Sequence, residues 1–290
     1  MTQNIRPPAL AGSWYPADAA TLRASVAGFL DLAAHPAAAE GRPAVAVVPH
    51  AGHAWSGEVA GGVLGLLSDL SYDRVILMAP NHRLHLTAPS CPAESAYATP
   101  LGIVPIDEAA RAVLIDAGAA VSVPEAHARE HAEEIQLPFL QRLWDDVPPV
   151  LPLLVPHLDD DARHRLARTL GRWCGGRTLF LVSTDFTHYG ADFGYLPFAH
   201  DVPRRLEQLD MGAVDCILRW DAAALLRYGR DTGITMCGLE AMAAVMTMPW
   251  PAAPRMALTG YQRSGDRDGD HSLSVSYVGM IGTLADRETP

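Results

Sequence analysis

V-A-V-V-P-H-A-G-H-A-W-S-G, residues 45–57, is the stretch on which the reading of this chain turns. Ala44 to Val48 is a short apolar, β-branched run of the kind that forms a strand buried on both faces of an α/β sheet. Pro49 ends the run, His50 stands at its exit, and Gly52 and Gly57 are expected to loosen the backbone before an amphipathic stretch from Glu58 to Leu67. The order is strand, histidine, turn, helix.

The same order recurs twice. Val75 to Ala79 runs into Pro80-Asn81-His82, and Leu179 to Val182 runs into Ser183-Thr184-Asp185-Phe186-Thr187-His188. In an open α/β sheet the carboxyl ends of parallel strands share one edge, and ligand sites collect in the crevice outside it. His50, His82, His188 and Asp185 are therefore expected to meet. One Pro-His pair in a loop would carry little weight, but chance would scatter histidines over loops at both ends of the sheet. His53 is expected behind the site or in its wall. His85, His127, His157, His164, His200 and His271 lack comparable settings and read as ordinary surface or loop residues.

Composition sets the outer bounds. The chain has 290 residues, 49% of them hydrophobic, enough for a large core, and no Gly/Ser/Pro tract or charge block divides it, so one domain over 1–290 is expected. A formal charge of -11 without a basic cluster argues against nucleic acid or an anionic membrane as the main partner. Lysine is absent, so every basic side chain is arginine, which reads as genome composition. No apolar run approaches the roughly 18 residues a membrane span needs, and no secretory leader pattern opens the chain. Cys91, Cys174, Cys216 and Cys237 are widely spaced without a C-x-x-C pair, which suits a reducing compartment. A cytoplasmic location is the expectation.

Along the chain, Arg6 to Pro16 is too rich in Pro and Gly for a helix, yet Trp14 and Tyr15 imply that it packs on the domain surface or near the site. Asp18 can cap a helix carrying Leu22, Val26, Phe29, Leu30 and Ala33, and His35 to Pro43 reads as a linker. Asp107 caps a helix to about Ala117; Val150 to Val155 is a strand, Asp159 to Trp173 and Val202 to Leu218 are helices, and a short helix follows Asp221. Thr235-Met236-Cys237-Gly238 opens a helix through Met246, and Arg255 to Tyr261 and Ser272 to Met280 are strand-like. In E-H-A-E-E-I-Q-L-P-F-L (130–140), helical register places Glu130 and Glu134 on one face with His131 beside them, and Pro138 kinks or restarts the helix. Those carboxylates either orient a metal-bound imidazole or form a solvated helix face.

Cys237 precedes a helix, where the macrodipole favours thiolate, although a free cysteine is more often a small buried hydrophobe. Two histidines and one anionic ligand make an open non-heme iron site, normally with a carboxylate as the anion; Cys237 would replace it, with Glu240 as the competing carboxylate. Asp185 and His188 form the best acid/base pair, because a carboxylate can orient or charge an imidazole. There is no G-x-S-x-G elbow, phosphate loop, dinucleotide fingerprint or H-E-x-x-H.

Taken together, A-G-S-W-Y-P (11–16), P-H-A-G-H-A-W-S-G (49–57), P-N-H-R (80–83), T-P-L-G (99–102), the 130–140 segment, S-T-D-F-T-H-Y-G (183–190) and Cys237-Gly238 resemble the Memo family, whose bacterial members are called AmmeMemoRadiSam system protein B. The resemblance implies a three-layer α/β/α sandwich around a mostly parallel or mixed central sheet, similar to class III extradiol dioxygenases. It implies His50, His82 and Cys237 as metal ligands, with Asp185 and His188 lining the pocket and Glu130 and His131 nearby. Fe(II) is the implied metal, with copper or zinc as alternatives. A small, aromatic substrate and O2 would then react there, and the family also brings a peptide or protein partner into view. A thiol where those dioxygenases have a carboxylate speaks against ordinary ring cleavage. Position 53, usually aromatic in the family, is His here, and Leu239-Glu240-Ala241 also depart from the common pattern. The alternatives to an oxidoreductase are a binding or scaffold protein that keeps the pocket without turnover, and a metal-assisted hydrolase with Glu130 or Asp185 as base.

Overall fold

A computed structural model describes residues 4–33 and 41–285. At its centre Arg42–Val48, Thr178–Ser183, Arg74–Ala79 and Val150–Leu154 lie side by side and parallel. Ser274–Leu284 pairs antiparallel with Arg42–Val48 and carries Arg255–Arg263 on its other side, so the sheet is mixed. Ser90–Cys91 and Val121–Ser122 extend the opposite edge. A separate small sheet joins Ile5–Arg6 to the hairpin Ala96–Thr99 and Gly102–Pro105.

The central strands are apolar without alternation because both their faces are covered. Val45, Val47, Ile76, Met78, Phe180 and Val182 enter one core, packed by the helices Glu108–Asp116, Asp160–Leu170, Val202–Leu218, Ala222–Thr232 and Leu239–Thr247. The residues between them, Ala46, Val48, Leu77, Leu179 and Leu181, enter a second core under Ala19–Leu30, His53–Leu64 and Leu137–Leu143. The result is a central mixed sheet flanked by helices. Asp18 and Asp107 cap their helices as expected, accepting from the amides of Thr21 and Ala110. No helix among the described residues is long and apolar enough to cross a membrane.

Some boundaries differ from the sequence reading. Ala33 lies beyond the first helix, and of the expected linker His35–Pro43, residues 35–40 lie outside the described residues while Arg42 and Pro43 already belong to a strand. Pro138 restarts a helix, separating His131–Glu134 from Leu137–Leu143. Gly57 does not loosen the backbone but lies inside the helix His53–Leu64. Its role is close approach: a Cβ there would stand 2.6 Å from the Phe29 ring, and one on Gly61 2.5 Å from the Phe29 backbone. The absent side chains let this helix lie directly on Ala19–Leu30, which sets where His50 and His53 emerge.

Gly61→Ala is accordingly expected to destabilise the protein by about 1–3 kcal/mol, the usual penalty for overpacking, because the facing atoms are backbone and cannot swing aside. Urea unfolding measures this; an unchanged midpoint would contradict the packing.

Candidate metal centre

The three strand exits are neighbours because Thr178–Ser183 inserts between Arg42–Val48 and Arg74–Ala79. Register makes their ends level, pairing Val48 with Ser183 and Met78 with Val182. His50 and Asp185 each follow two residues later, and the His50 amide donates to Asp185 Oδ1 at 2.8 Å. His82 follows Ala79 by three, and its ring stands 5.3 Å from that of His50, nearly perpendicular to it. Cys237 arrives from the turn before Leu239–Thr247 and sets its Sγ 3.3 Å from His50 Nε2. One donor atom from each of His50, His82 and Cys237 lies within 4.8 Å of the other two.

Hydrogen bonding assigns both imidazole tautomers. The single Ser183 hydroxyl proton goes to the Ala132 carbonyl at 2.7 Å. Its oxygen then accepts from Gln136 Nε2 at 3.0 Å and from His50 Nδ1 at 3.1 Å. His50 thus carries its proton on Nδ1 and a lone pair on Nε2, the atom facing Cys237. Burial, with the charge of nearby His82, holds its pKa well below the ordinary histidine value, so it is a neutral imidazole.

Glu130 does for His82 what Ser183 does for His50. Its Oε1 accepts from His82 Nδ1 at 2.9 Å, its Oε2 from the His82 amide at 2.7 Å, and its Oε1 also from the Ala132 amide at 3.1 Å. Burial alone would raise this carboxyl, but the hydrogen bond and charge of His82, with His131, hold it down at about 2. An ionised carboxylate only accepts, so His82 carries a proton on Nδ1 and leaves Nε2 as the ring atom not engaged by Glu130. With its oxygens engaged this way, Glu130 stands behind His82 as its orienter, and the solvated-face alternative fails because Glu130 and Glu134 are both fully buried. The His131 ring stacks on that of His82 at 4.4 Å and meets Trp14 at 4.5 Å. Its Nδ1 is 3.1 Å from Glu130 Oε1 in a geometry that is no hydrogen bond, leaving that atom unpartnered. Burial, and the repulsion that protonated His50 and His82 rings would add, lower the His131 pKa to about 3.

The N-terminal segment locks this arrangement. Arg6, almost wholly buried, donates to Glu134 Oε2 at 2.5 Å, to the His127 carbonyl at 2.7 Å and to the Glu130 carbonyl at 3.2 Å. Tyr15 adds its hydroxyl to Glu134 Oε1 at 2.6 Å, and the amides of Ala9 and Leu10 close around the same carboxylate. Arg6 to Pro16 therefore does pack beside the site.

Several expected roles change. Cys237 precedes a helix, but burial first, and the Asp185 charge second, push its thiol up rather than down. Gly238 follows it because a Cβ there would lie 2.5 Å from Thr184 Cβ. Glu240 does not compete as ligand: it turns away to His157, at 2.7 Å, and to Arg163, at 3.1 Å. Among the described residues no hydrogen bond joins Asp185 to His188. His188 instead gives its Nδ1 proton to the Thr235 carbonyl at 3.1 Å, which leaves Nε2 as its basic atom. Asp185 keeps one oxygen 4.0 Å from His50 Nε2, and burial raises its pKa against the pull of His188 and the His50 amide.

Two other histidines are structural. His127 is not a surface residue; it is fully buried between the Glu133 carboxylate and the Ser90 hydroxyl, both at 3.0 Å. His53 is walled by Tyr15, Phe29 and Phe139 and bonds the Ile135 carbonyl through Nε2 at 3.0 Å. Burial, offset only in part by that bond, lowers its pKa to about 4. The sequence reading missed Ser183 and Gln136 as site residues although both lie inside quoted motifs, and it had no signal for the Arg6–Glu134 pair.

The sequence profile described as Memo-like protein matches residues 6–281. A MEMO1 family protein of Thermoplasma acidophilum is 29% identical over 280 residues, covering 96% of this chain and 99% of its own. One of Thermococcus kodakarensis is 31% identical over 289 residues, covering 96% and 99%. One of Aquifex aeolicus is 30% identical over 285 residues with the same coverage of 96% and 99%.

Arg6→Ala strands the buried Glu134 carboxylate, and a loss of about 3–5 kcal/mol is expected in denaturant unfolding. A loss below about 1 kcal/mol would show that the pair does not organise the segment. His53 gives a pH signature. In the unfolded chain it binds a proton below about 6.5, in the fold only below about 4, so its contribution to stability falls as pH drops through that window. His53→Phe should shrink the stability difference between about pH 7.5 and pH 5 by about 2 kcal/mol. An undiminished difference would contradict the neutral, buried assignment.

Proposed function

The chain belongs to the Memo-like family, and on that premise we propose that it is a cytoplasmic, non-heme iron oxidoreductase of dioxygenase type, acting with O2 on a small aromatic substrate. Its α/β/α sandwich is taken to be that of the class III extradiol dioxygenases. His50, His82 and Cys237 would hold the Fe(II). The observation that carries this reading is the paired tautomer assignment: Ser183 and Glu130 each occupy an Nδ1 proton, so two imidazoles keep Nε2 free beside a thiol. The donor set fits, since two imidazoles with their Nδ1 protons engaged and a thiol that a cation would deprotonate match a borderline divalent metal better than calcium or magnesium.

When bound, the Fe(II) supplies open coordination positions at which O2 and substrate can meet. The protein's own groups do the rest. Ser183 and Glu130 hold the two rings in place, as the outer partners of metal-ligating histidines do. His188, with its Nδ1 proton committed to Thr235, can take a proton from a substrate hydroxyl at Nε2 and return it. His131 is neutral at physiological pH and has an unpartnered Nδ1 that can accept. Asp185 lies among these imidazoles and stabilises whichever of them is charged. Glu130 is committed to His82 and the Ala132 amide and is held ionised at about 2, which makes it a weak base and leaves Asp185 for the hydrolytic alternative.

The test is anaerobic purification with metal analysis, followed by O2 uptake with catechols. About one iron per chain is expected, and the His50→Ala/His82→Ala variant should bind it at least ten-fold more weakly. Asp185→Asn and His188→Ala should keep their melting temperatures while losing O2 uptake. Full metal retention in the double variant would sink the metal assignment; stoichiometric iron without O2 uptake on any catechol would put the binding-protein reading first.

A further inference from the structure

A cavity of about 500 Å3 opens beside the centre, lined by Ala9, Leu10, Ser13, Trp14, Arg83 and Arg129. It shares a wall with the histidine cluster: Trp14 lines it, the Trp14 ring meets His131 at 4.5 Å, and His131 stacks on His82 at 4.4 Å. The two arginines are bound to the centre by the chain itself, since Arg83 follows His82 and Arg129 precedes Glu130. Arg83 Nε donates to the Arg129 carbonyl at 3.1 Å, which fixes one guanidinium against the other's backbone and leaves its terminal nitrogens free.

Two guanidiniums on one cavity are mutually repulsive, and in a chain of net charge -11 carboxylate partners are abundant. Arg74, Arg111, Arg177 and Arg267 each have one, while other exposed arginines such as Arg23 and Arg142 have none among the described residues, so it is the shared cavity that sets Arg83 and Arg129 apart. Among the described residues, neither Arg83 nor Arg129 is paired with a carboxylate, and the acid next to Arg129, Glu130, is turned inward to His82. A planar fork of donors is the side chain best matched to a carboxylate or phosphate, and the neighbouring Trp14 face suits an apolar or aromatic body. The volume is that of a small-molecule site.

We propose that Arg83 and Arg129 form an anion-recognising subsite, so that the substrate is a small molecule bearing a carboxylate or phosphate. That group lies between the two arginines, its apolar body lies against Trp14, and its reacting end reaches the His50/His82/Cys237 cluster. Only the last clause rests on the metal reading; oxyanion binding by the arginines does not require it.

Two titrations separate the claims. Metal-free protein is titrated calorimetrically with benzoate and with inorganic phosphate, and the tighter of the two identifies the oxyanion class. The Arg83→Ala/Arg129→Ala variant should bind that probe about ten-fold more weakly or worse, while Arg142→Ala, at an exposed arginine outside the cavity, binds it as the parent does. Ferric-loaded protein is then titrated with catechol and 3,4-dihydroxybenzoate, which differ by one carboxylate, reading the catecholate-to-iron absorption band. The parent should prefer the carboxylate by about ten-fold, the double variant should show no preference, and catechol itself should bind both equally. A metal-free arginine effect without any iron band would uphold the subsite and refute the metal centre. A parent that binds neither benzoate nor phosphate, or a double variant that binds them as the parent does, would overturn the proposal.

Discussion

Everything in this molecule depends on the level carboxyl ends of three adjacent parallel strands. Val48 and Ser183 are paired in register, and Val182 is paired with Met78, so whatever follows these strands must emerge along one line. Both faces of the sheet are buried in separate cores, and a slip of one residue would exchange them along the whole strand. The position of the site is thereby tied to the strongest source of stability in the fold. His50, His82 and Asp185 need no long-range coding beyond their distance from a strand end.

A second layer of constraint is polar and buried. In the segment from His127 to Glu134, His127 and all three glutamates are fully buried and each has partners: Glu130 with His82, Glu133 with His127, and Glu134 with Arg6 and Tyr15. In a low-dielectric interior such groups are costly when unmatched and rigid when matched. The network therefore gives His82 a fixed orientation from behind. In front, Trp14, Arg83 and Arg129 face an open cavity. The centre is stiff on its protein side and accessible on its solvent side, which is the arrangement a ligand-binding centre requires.

Much of this was legible in the sequence because it is local. The strand–histidine exits, the Asp18 and Asp107 caps and the restart at Pro138 follow from neighbouring residues, and the structure has them. What was not legible depends on contacts between distant segments. Gly57 looked like a loosened turn because its partner, Phe29, lies in another helix. His127 looked exposed because its two partners are a glutamate six residues on and a serine 37 residues back. For Cys237 an activated thiolate and a small buried hydrophobe stood open together, because the helix that follows it was visible and the burial that decides between them was not. Glu240, at helical spacing from Cys237, pointed to a ligand, yet Arg163 and His157 hold it elsewhere. In each case local pattern gave the element and tertiary charge or packing gave the role.

The central claim is that two imidazoles and one thiolate form a single metal centre, and X-ray absorption at the iron edge of the loaded protein tests it most directly. The account predicts one sulfur and two imidazole nitrogens among the nearest scatterers, with the sulfur lost in Cys237→Ser and one imidazole lost in His82→Ala. A nearest shell of oxygen and nitrogen without sulfur in the parent protein would contradict it.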